Sequence, residues 1–274
     1  MTVVKSAGNN GIWSAVTSPG LAFNILTVGG INTQNTLNKT DDTMYNIDST
    51  HGTSTGNGGT LGCAKPDFLA PAYFYDGNVA HIGTSFAAPI VTGMVAQMIR
   101  CNSVCKVSPA ITKAILTAST TRKVAPGPSP GENEVFEGNI TAQQGAGVVN
   151  ARKAIMILEN GKYASGTIGD GHVTLTFPVT SSDQYIRYAL TWTKRNRFTT
   201  GDHLNTNNLT VADPVNLRLR IFDSNISVLT TSDVENSSVE LAHVSVNGVY
   251  GTYRARIYRM DSGTNLVAYA VAWR

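Results

Sequence analysis

The chain has 274 residues, and its 42% hydrophobic share excludes a largely disordered protein. Its length is enough to bury a core, either in one large domain or in two ordinary ones. A net charge of +3 is too small to indicate a nucleic-acid partner, and no apolar run approaches the ~20 residues of a membrane-spanning helix.

The first 160 residues alternate short apolar runs with helical patterns. Strands are predicted at 2–4, 24–28 and 65–71, and Gly29 and Gly30 are expected to close the second of them. Helices are predicted at 85–100, from the N-cap Ser108 with Pro109 in the first turn, and at about 150–159. Strands that alternate with helices predict an α/β domain with a mostly parallel sheet.

The texture of the chain changes after residue 170. A Pro- and Gly-rich stretch at 121–138 predicts a surface loop, and the domain boundary is expected near 161–170. Strands that alternate with period two follow, at 173–177, 188–192, 216–221, 255–258 and 269–273. Short alternating strands separated by turn residues predict an antiparallel β-sandwich. The predicted domains are therefore 1–162 and 168–274.

The three cysteines, Cys63, Cys101 and Cys105, cannot all pair within the chain. Cys101 and Cys105 are close enough in sequence to form a disulfide if a helix ends between them, and free thiols are the alternative. No set of Cys and His residues has the spacing of a metal site.

The densest chemical signal is the segment Gly83-Thr84-Ser85-Phe86-Ala87-Ala88-Pro89. Ser85 is predicted to open a helix, where the first-turn amides and the helix dipole favour negative charge. An exposed hydroxyl beside such amides suits the nucleophile of an acyl transfer. The alternative is an ordinary serine at a helix start.

The string from Gly83 to Gly93 resembles the active-serine segment of the subtilisin-like serine peptidases, the subtilases. Four further segments resemble that family in the same order, and the resemblance covers about residues 1–160. These segments are 6–11, 19–29, 65–71 and 145–151. The resemblance implies a partial subtilisin-like three-layer α/β domain, which is followed here by the β-sandwich.

By this resemblance Ser85 is the nucleophile and Asn9 is the side-chain donor of the oxyanion hole. The amide of such an Asn donates a hydrogen bond to the oxygen that becomes negative in the tetrahedral intermediate. For Asn9 the alternative is a turn residue, which the neighbouring Gly8 and Gly11 would fit.

The family's triad also needs a His base and an Asp that orients it, and in subtilases both precede the oxyanion Asn. None of the eight residues before Asn9 is Asp or His. The resemblance therefore implies a fragment that is inactive alone. Residues 1–160 are expected to fold poorly by themselves, or to bind an N-terminal half that carries the Asp and the His.

Two histidines of this chain are weaker candidates for the base. His51 lies in a stretch, 48–54, that resembles the family's histidine segment but stands in a different order along the chain. His81 lies four residues before Ser85. An ordinary loop or strand histidine is the alternative for each. The other histidines, His172, His203 and His243, are expected to be surface or interstrand residues of the sandwich.

The predicted sandwich has no motif for a ligand. Its tyrosines and tryptophans follow the strand alternation and are expected in the core. Four aspartates have no fixed spacing, so structural calcium is not predicted by a motif, and no other cofactor is expected: Asp202, Asp213, Asp223 and Asp261. Five sequons weakly indicate glycosylation, at Asn38, Asn139, Asn208, Asn225 and Asn236.

Two functions fit these observations. The first is a secreted subtilisin-like endopeptidase that cleaves a polypeptide substrate through an acyl-enzyme at Ser85, once the Asp- and His-bearing half is present. The second is a non-catalytic remnant or pseudoenzyme whose sandwich binds protein or carbohydrate. An α/β-hydrolase esterase is excluded, because no Gly-x-Ser-x-Gly elbow surrounds Ser85.

Overall fold

The structure of the chain is a computed structural model. It describes residues 1–9, 16, 19–37, 39, 41–44, 65–77, 79–121, 140, 144–194, 215–234, 237–263 and 265–274. The first half contains the strands β1 (Val4–Ser6), β2 (Leu26–Asn32), β3 (Thr43–Met44), β4 (Phe68–Pro71), β5 (Tyr73–Asp76) and β6 (Val79–Ile82). They are followed by the helices α1 (Thr84–Cys101), α2 (Val104–Val107), α3 (Pro109–Ser119) and α4 (Ala151–Glu159).

Strand β2 is the centre of the first sheet. β1 and β4 pair with β2 in parallel, and the short β3 pairs antiparallel with its end. The prediction that Gly29 and Gly30 close β2 was wrong, since the strand runs through both of them to Asn32. Both glycines stay extended because they pair with Leu69 and Ala70 of β4. Helix α1 packs against all three parallel strands.

The ends of the helices follow their local signals. The hydroxyl of Ser108 accepts a hydrogen bond from the Ile111 amide at 3.3 Å and caps α3. The side chain of Asn150 accepts one from the Lys153 amide at 3.0 Å and caps α4. Helix α1 differs, because its N-cap residue is Gly83 and no side chain of that residue can cap it.

The second half contains β7 (Tyr163–Ile168), β8 (His172–Val179), β9 (Tyr185–Trp192), β10 (Leu217–Phe222), β11 (Val228–Ser232), β12 (Val239–Ser245), β13 (Gly251–Arg259) and β14 (Val267–Trp273). These strands form two four-stranded antiparallel sheets, ordered β11-β10-β13-β8 and β12-β9-β14-β7. The antiparallel sheets predicted for this half are confirmed, and one apolar core lies between them. β7 falls within the stretch 161–170 and pairs with β14.

Helix α3 is shared by the two halves. Its residues 111–119 are all buried, between α2 and α4 on one side and strands β9 and β14 on the other. The small side chains of Ala189, Ala270 and Ala272 belong to the core that contains this helix, whereas their large neighbour Tyr188 belongs to the sandwich core. The β12-β9-β14-β7 sheet is therefore covered on both faces.

A buried charge cluster also joins the halves. The carboxylate of Asp67 lies 2.6 Å from Lys65 Nζ and 2.8 Å from Lys113 Nζ, and it accepts the Thr27 amide at 2.7 Å. Lys113 lies on α3 and also donates to the hydroxyl of Ser238, at 3.3 Å, from the sandwich. Burial raises the pKa of Asp67, but the charges of Lys113 and Lys65 outweigh burial and hold that pKa below its ordinary value.

A second polar link reaches the end of α3. Arg187 of β9 is only 1% exposed, and its guanidinium donates to Thr120 Oγ1 at 2.6 Å and to the Ala146 carbonyl at 3.1 Å. Arg274 donates to the carbonyls of Ala118 and Thr120, both at 2.8 Å. The two bonds from Arg274 satisfy backbone carbonyls at the end of α3 that have no partner within the helix. Burial and the nearby charge of Arg274 lower the pKa of Arg187 to about 9.

The two described cysteines are free thiols. Cys101 is exposed at the end of α1, and Cys105 is buried in α2. The disulfide between them is therefore absent, in agreement with the free-thiol alternative, and Cys63 lies outside the described residues. In the part of the chain that the structure describes, we find no helix with the length and apolar character to cross a membrane.

Candidate functional site

The start of α1 is held by a tight turn. Gly83 has a φ of 151°, a backbone conformation that strains any residue with a side chain. Its amide donates to the carbonyl of Ala72 at 2.9 Å, directly after β4. The first turn of the helix is therefore anchored to the parallel sheet.

A second segment reaches this helix start from the end of β1. Gly8 has a φ of 110°, and its amide donates to the hydroxyl of Thr84 at 3.2 Å. That hydroxyl lies 3.0 Å from the Gly8 carbonyl and 2.9 Å from Asn9 Oδ1, each of which can accept its proton. The Thr84 amide donates to Asn9 Oδ1 at 3.0 Å. The fully buried Thr84 thus fastens residues 8 and 9 to the start of α1.

These bonds settle which way the carboxamide of Asn9 points. A backbone amide can pair only with an acceptor, so Oδ1 faces Thr84 and Nδ2 lies on the far side. Among the described residues, Nδ2 has no hydrogen-bond partner. A Cβ atom at Gly83 would stand 3.2 Å from Nδ2, so glycine leaves room for this nitrogen.

Ser85 is the second residue of α1, and its side chain is exposed. The amides on either side of it are occupied, since Thr84 donates to Asn9 and Phe86 donates to the Gly83 carbonyl at 2.9 Å. The Ser85 amide and hydroxyl have no partner within the described part of the chain. Two open N–H donors, the Ser85 amide and Asn9 Nδ2, therefore belong to one helix start that also bears an exposed hydroxyl. Such a pair can stabilise an oxyanion on a carbonyl that the hydroxyl attacks.

The structure brings together Asn9 and Ser85, the two residues predicted for the site, but no histidine joins them. The ring of His81 on β6 is stacked on Phe74, with centroids 4.6 Å apart, and meets the edge of Phe86 at 5.9 Å. No hydrogen bond connects His81 to Ser85 in the described residues. His51 and His203 lie outside those residues, and His172 and His243 lie on β8 and β12 of the sandwich.

The described residues hold no group of three His, Cys, Asp or Glu side chains that could bind a metal ion. Asp223 accepts two backbone amides of its own turn, and Asp261 forms an ion pair with Arg259 at 2.8 Å. Both carboxylates thus stabilise loops. The other two aspartates considered for calcium, Asp202 and Asp213, lie outside the described residues.

Of the five sequon asparagines, Asn225 is exposed in the turn between β10 and β11. Asn38, Asn139, Asn208 and Asn236 lie outside the described residues.

Sequence reasoning missed the role of Thr84. In the sequence it stands only as a member of the segment from Gly83 to Pro89. Its contacts with Gly8 and Asn9 join segments that are far apart in the chain, and no local sequence pattern predicts such contacts. The only signals are Gly8 and Gly83 themselves, because both take backbone angles that favour glycine.

Comparison with known families matches the first half of the chain. A family model described as "Subtilase family" matches residues 1–147. This range includes the segment with Asn9, the start of α1 with Ser85, and all of α3. No curated protein sequence matches the chain.

Solved structures resemble the chain only distantly. A serine protease of Aeromonas sobria is 11% identical with a TM-score of 0.30, over 97% of this chain and 64% of that protein. Tripeptidyl peptidase 2 is 14% identical with a TM-score of 0.35, over 100% and 32%. The pre-peptidase C-terminal domain of a collagenase from Bacillus anthracis is 16% identical with a TM-score of 0.27, over 41% and 87%. The chain thus spans less than two thirds of the length of the first two proteins.

Proposed function

We infer that this chain, which belongs to the subtilase family, serves serine-type endopeptidase chemistry through an acyl-enzyme at Ser85. One observation carries the proposal, namely the hydrogen bond of 3.0 Å between the Thr84 amide and Asn9 Oδ1. This bond leaves the Nδ2 donor of Asn9 open at the start of the helix that bears Ser85. An exposed hydroxyl with two open N–H donors is the arrangement that acyl transfer needs.

The proposed reaction begins when Ser85 Oγ attacks the carbonyl carbon of a peptide bond and gives its proton to a base. The carbonyl oxygen becomes negative and accepts hydrogen bonds from the Ser85 amide and Asn9 Nδ2. The C–N bond then breaks, and the amine leaves with the proton from the base. Water attacks the resulting ester in the same way, which releases the acid and restores the Ser85 hydroxyl.

The base and its orienting acid come, in this proposal, from residues other than the described neighbours of Ser85. Subtilases supply a His and an Asp from segments that precede the oxyanion Asn, and the eight residues before Asn9 contain neither. We propose that these segments are supplied by a further stretch of polypeptide that packs beside β1, and that the 274 residues alone are close to inert.

The alternative is a non-catalytic member of the family whose sandwich binds another molecule. The observation that favours it is that Ser85 has no imidazole or carboxylate partner in the described part of the chain. Intact Ser85 and Asn9 favour the peptidase, because binding by the sandwich needs neither.

A fluorophosphonate probe distinguishes these functions, because it labels a serine that is activated by a base. The 274-residue chain is expected to stay unlabelled alone and to be labelled at Ser85 after the Asp- and His-bearing segment is added. Ser85→Ala should abolish the labelling. Ser103→Ala is the matched control, because Ser103 is an exposed serine at a helix start whose side chain makes no capping bond. The proposal is contradicted if the probe labels Ser103, or if Ser85 stays unlabelled after the segment is added.

Asn9→Asp tests the oxyanion donor separately. Aspartate keeps an oxygen for the Thr84 amide and lacks the Nδ2 donor, so the helix start stays anchored while one donor is lost. We expect turnover of the complemented enzyme to fall about 10²–10³-fold, the range known for the corresponding donor of a subtilisin. An unchanged turnover would remove Asn9 from the mechanism.

The remaining assignments belong to the same proposal. Residues 1–162 form the subtilisin-like three-layer peptidase portion, and 168–274 form an accessory β-sandwich. The substrate is a polypeptide, the enzyme is secreted, and no cofactor takes part in the reaction.

A further inference from the structure

The outer face of the β11-β10-β13-β8 sheet carries a compact group of arginines. The alternate residues of β10 and β13, such as Leu219 and Ile257, point into the sandwich core. The residues between them stand on the opposite face, where no other described element packs on them. We call Arg220, Arg254 and Arg256 on this side the arginine face.

The strand register sets two of these charges directly against each other. Arg220 of β10 is paired with Arg256 of β13, and Arg254 lies two residues further along β13. Side chains directly opposite in an antiparallel pair have Cβ atoms about 4.5–5.5 Å apart, where like charges are destabilising. The sheet thus holds neighbouring cations at a cost that a bound anion would reduce.

No acid within the described residues pairs with Arg220, Arg254 or Arg256. The nearby Asp233 pairs with Arg218, which stands on the same side of β10 two residues before Arg220, and Asp261 pairs with Arg259 of β13. Arg220 Nε and Arg254 Nη1 are buried and have no hydrogen-bond partner among the residues that the structure describes. A buried donor without an acceptor is destabilising, and one on a cation is more so. An anionic ligand that binds the partly exposed remainder of these two side chains would offset part of that cost.

Aromatic rings contact two of the three guanidinium groups. The guanidinium of Arg220 lies 5.2 Å from the ring centre of Tyr258, and that of Arg256 lies 4.8 Å from the ring centre of Phe222. The ring faces are thus occupied by cations and are not open for stacking on bases. This arrangement favours a ligand that binds by charge and hydrogen bonds over a single-stranded nucleic acid.

We propose that the arginine face binds an extended acidic segment of another polypeptide, with a carboxylate on every second residue. In an extended chain such carboxylates lie on one side and repeat about every 6.6–6.8 Å. This repeat matches the spacing of Arg254 and Arg256, because these arginines are two residues apart on the same strand. The planar fork of a guanidinium suits two carboxylate oxygens at once. This binding goes beyond the proposed peptidase function and does not depend on it.

The test uses the full chain with Ser85→Ala, so that cleavage cannot consume the probe. The probe is a fluorescein-labelled peptide in which Glu and Thr alternate, followed by fluorescence anisotropy. Replacing all three arginines of the face with glutamine should weaken binding about tenfold or more. The matched control is Arg100→Gln/Lys106→Gln/Arg152→Gln, which removes the same charge from exposed helix positions. This control should change affinity by no more than about twofold.

The spacing argument has its own control, a peptide of the same composition with all glutamates in one block. It should bind more weakly than the alternating peptide, and equal affinities would overturn the proposed register. Tighter binding of heparin or of single-stranded DNA than of the alternating peptide would overturn the choice of partner. Equal loss in the arginine and control variants would remove the site altogether.

The variants also report on folding, because removing like charges should leave the melting temperature unchanged or higher. Arg256→Lys provides a second measurement, since it keeps the charge and loses the planar fork. It should bind the alternating peptide more weakly than the parent and more tightly than Arg256→Gln. Binding of Arg256→Lys equal to that of the parent would contradict recognition by a guanidinium fork.

Discussion

Replacing Asp67 with asparagine removes the central charge of the cluster that joins the two halves. The change keeps the size of the side chain and an oxygen for the Thr27 amide, but Lys65 and Lys113 lose their counter-ion. All three charged side chains are at most 6% exposed, so neither ammonium group can turn to water. Removing one partner of a buried ion pair costs about 3–5 kcal/mol. We expect a loss of about that size, out of a total stability of about 5–15 kcal/mol for a typical domain.

Lys113→Met provides the internal comparison. It leaves Asp67 with Lys65 as a neutral pair, whereas Asp67→Asn leaves two cations side by side. The carbonyl of Phe23 loses the Lys113 donor at 2.9 Å but keeps the hydroxyl of Ser238 at 3.1 Å. Lys113→Met should therefore be less destabilising than Asp67→Asn.

The assay is urea unfolding of the full chain, followed by circular dichroism at pH 7. Asp233→Asn is the control, because its ion pair with Arg218 is 28% and 27% exposed and should contribute less than about 1 kcal/mol. The reasoning is refuted if Asp67→Asn costs no more than Asp233→Asn, or less than Lys113→Met.

The same cluster predicts a pH dependence. The pKa of Asp67 is lower in the folded chain than in the unfolded one, so its stabilisation is complete above the unfolded-state pKa. The stabilisation is lost as the pH falls through the folded-state pKa. Asp67→Asn should therefore show a smaller loss of stability on acidification than the parent.

Three other predictions follow from buried or strained groups. Burial raises the pKa of Glu240 to about 8, so the folded state keeps a proton that the unfolded chain releases near its ordinary pKa of 4.5, and stability falls as the pH rises between these values. Glu240→Gln should thus stabilise the chain by about 1–4 kcal/mol at pH 8 and by nothing measurable at pH 4 in urea unfolding. Gly83→Ala should lower stability by about 1–3 kcal/mol in the same assay, because alanine is strained at a φ of 151° and its Cβ presses on Asn9. Cys101 should react with a thiol reagent in the native chain, whereas Cys105, buried and with its thiol pKa raised by that burial, should react only after unfolding.

The helices could be predicted because their signals act within one turn. Ser108 and Pro109 mark the start of α3 wherever the rest of the chain lies. Strand β7 could not be predicted, since Ser165 and Gly166 interrupt any alternation. It forms because it pairs with β14, about a hundred residues away in the chain.

The burial of β9 was also beyond sequence reasoning. Large and small side chains alternate along β9, as in Tyr188 and Ala189. The same alternation occurs whether the face with the small side chains is exposed to solvent or covered by another element. The covering element is α3, which only the tertiary structure supplies. The charge cluster of Asp67 went unnoticed for the same reason, because Lys113 lies on that distant helix.

For the candidate site, the place of Ser85 at a helix start fitted either a nucleophile or an ordinary serine, and the family resemblance selected the nucleophile; Asn9 came only from that resemblance. Physical reasoning on the sequence also fitted a turn residue at Asn9. The bond that decides the orientation of its carboxamide comes from Thr84, and it exists only after β1 and α1 pack together. The arginine face could not be predicted from the sequence, because alternating Arg and apolar residues indicate only a strand with one exposed side.

The small residues that contact α3 limit which sandwich domains can replace this one by recombination. Ala189, Ala270 and Ala272 let the sandwich sheet approach the helix closely. A larger side chain at any of the three positions would displace α3 from the sheet toward α4. Overpacking of this kind typically lowers the free energy of unfolding by about 1–3 kcal/mol. A sandwich grafted from another protein must therefore present alanine-sized residues at the same register, whatever ligand it binds. A recombined protein must therefore first pack its new sandwich domain against α3. Only then can selection act on what that domain binds.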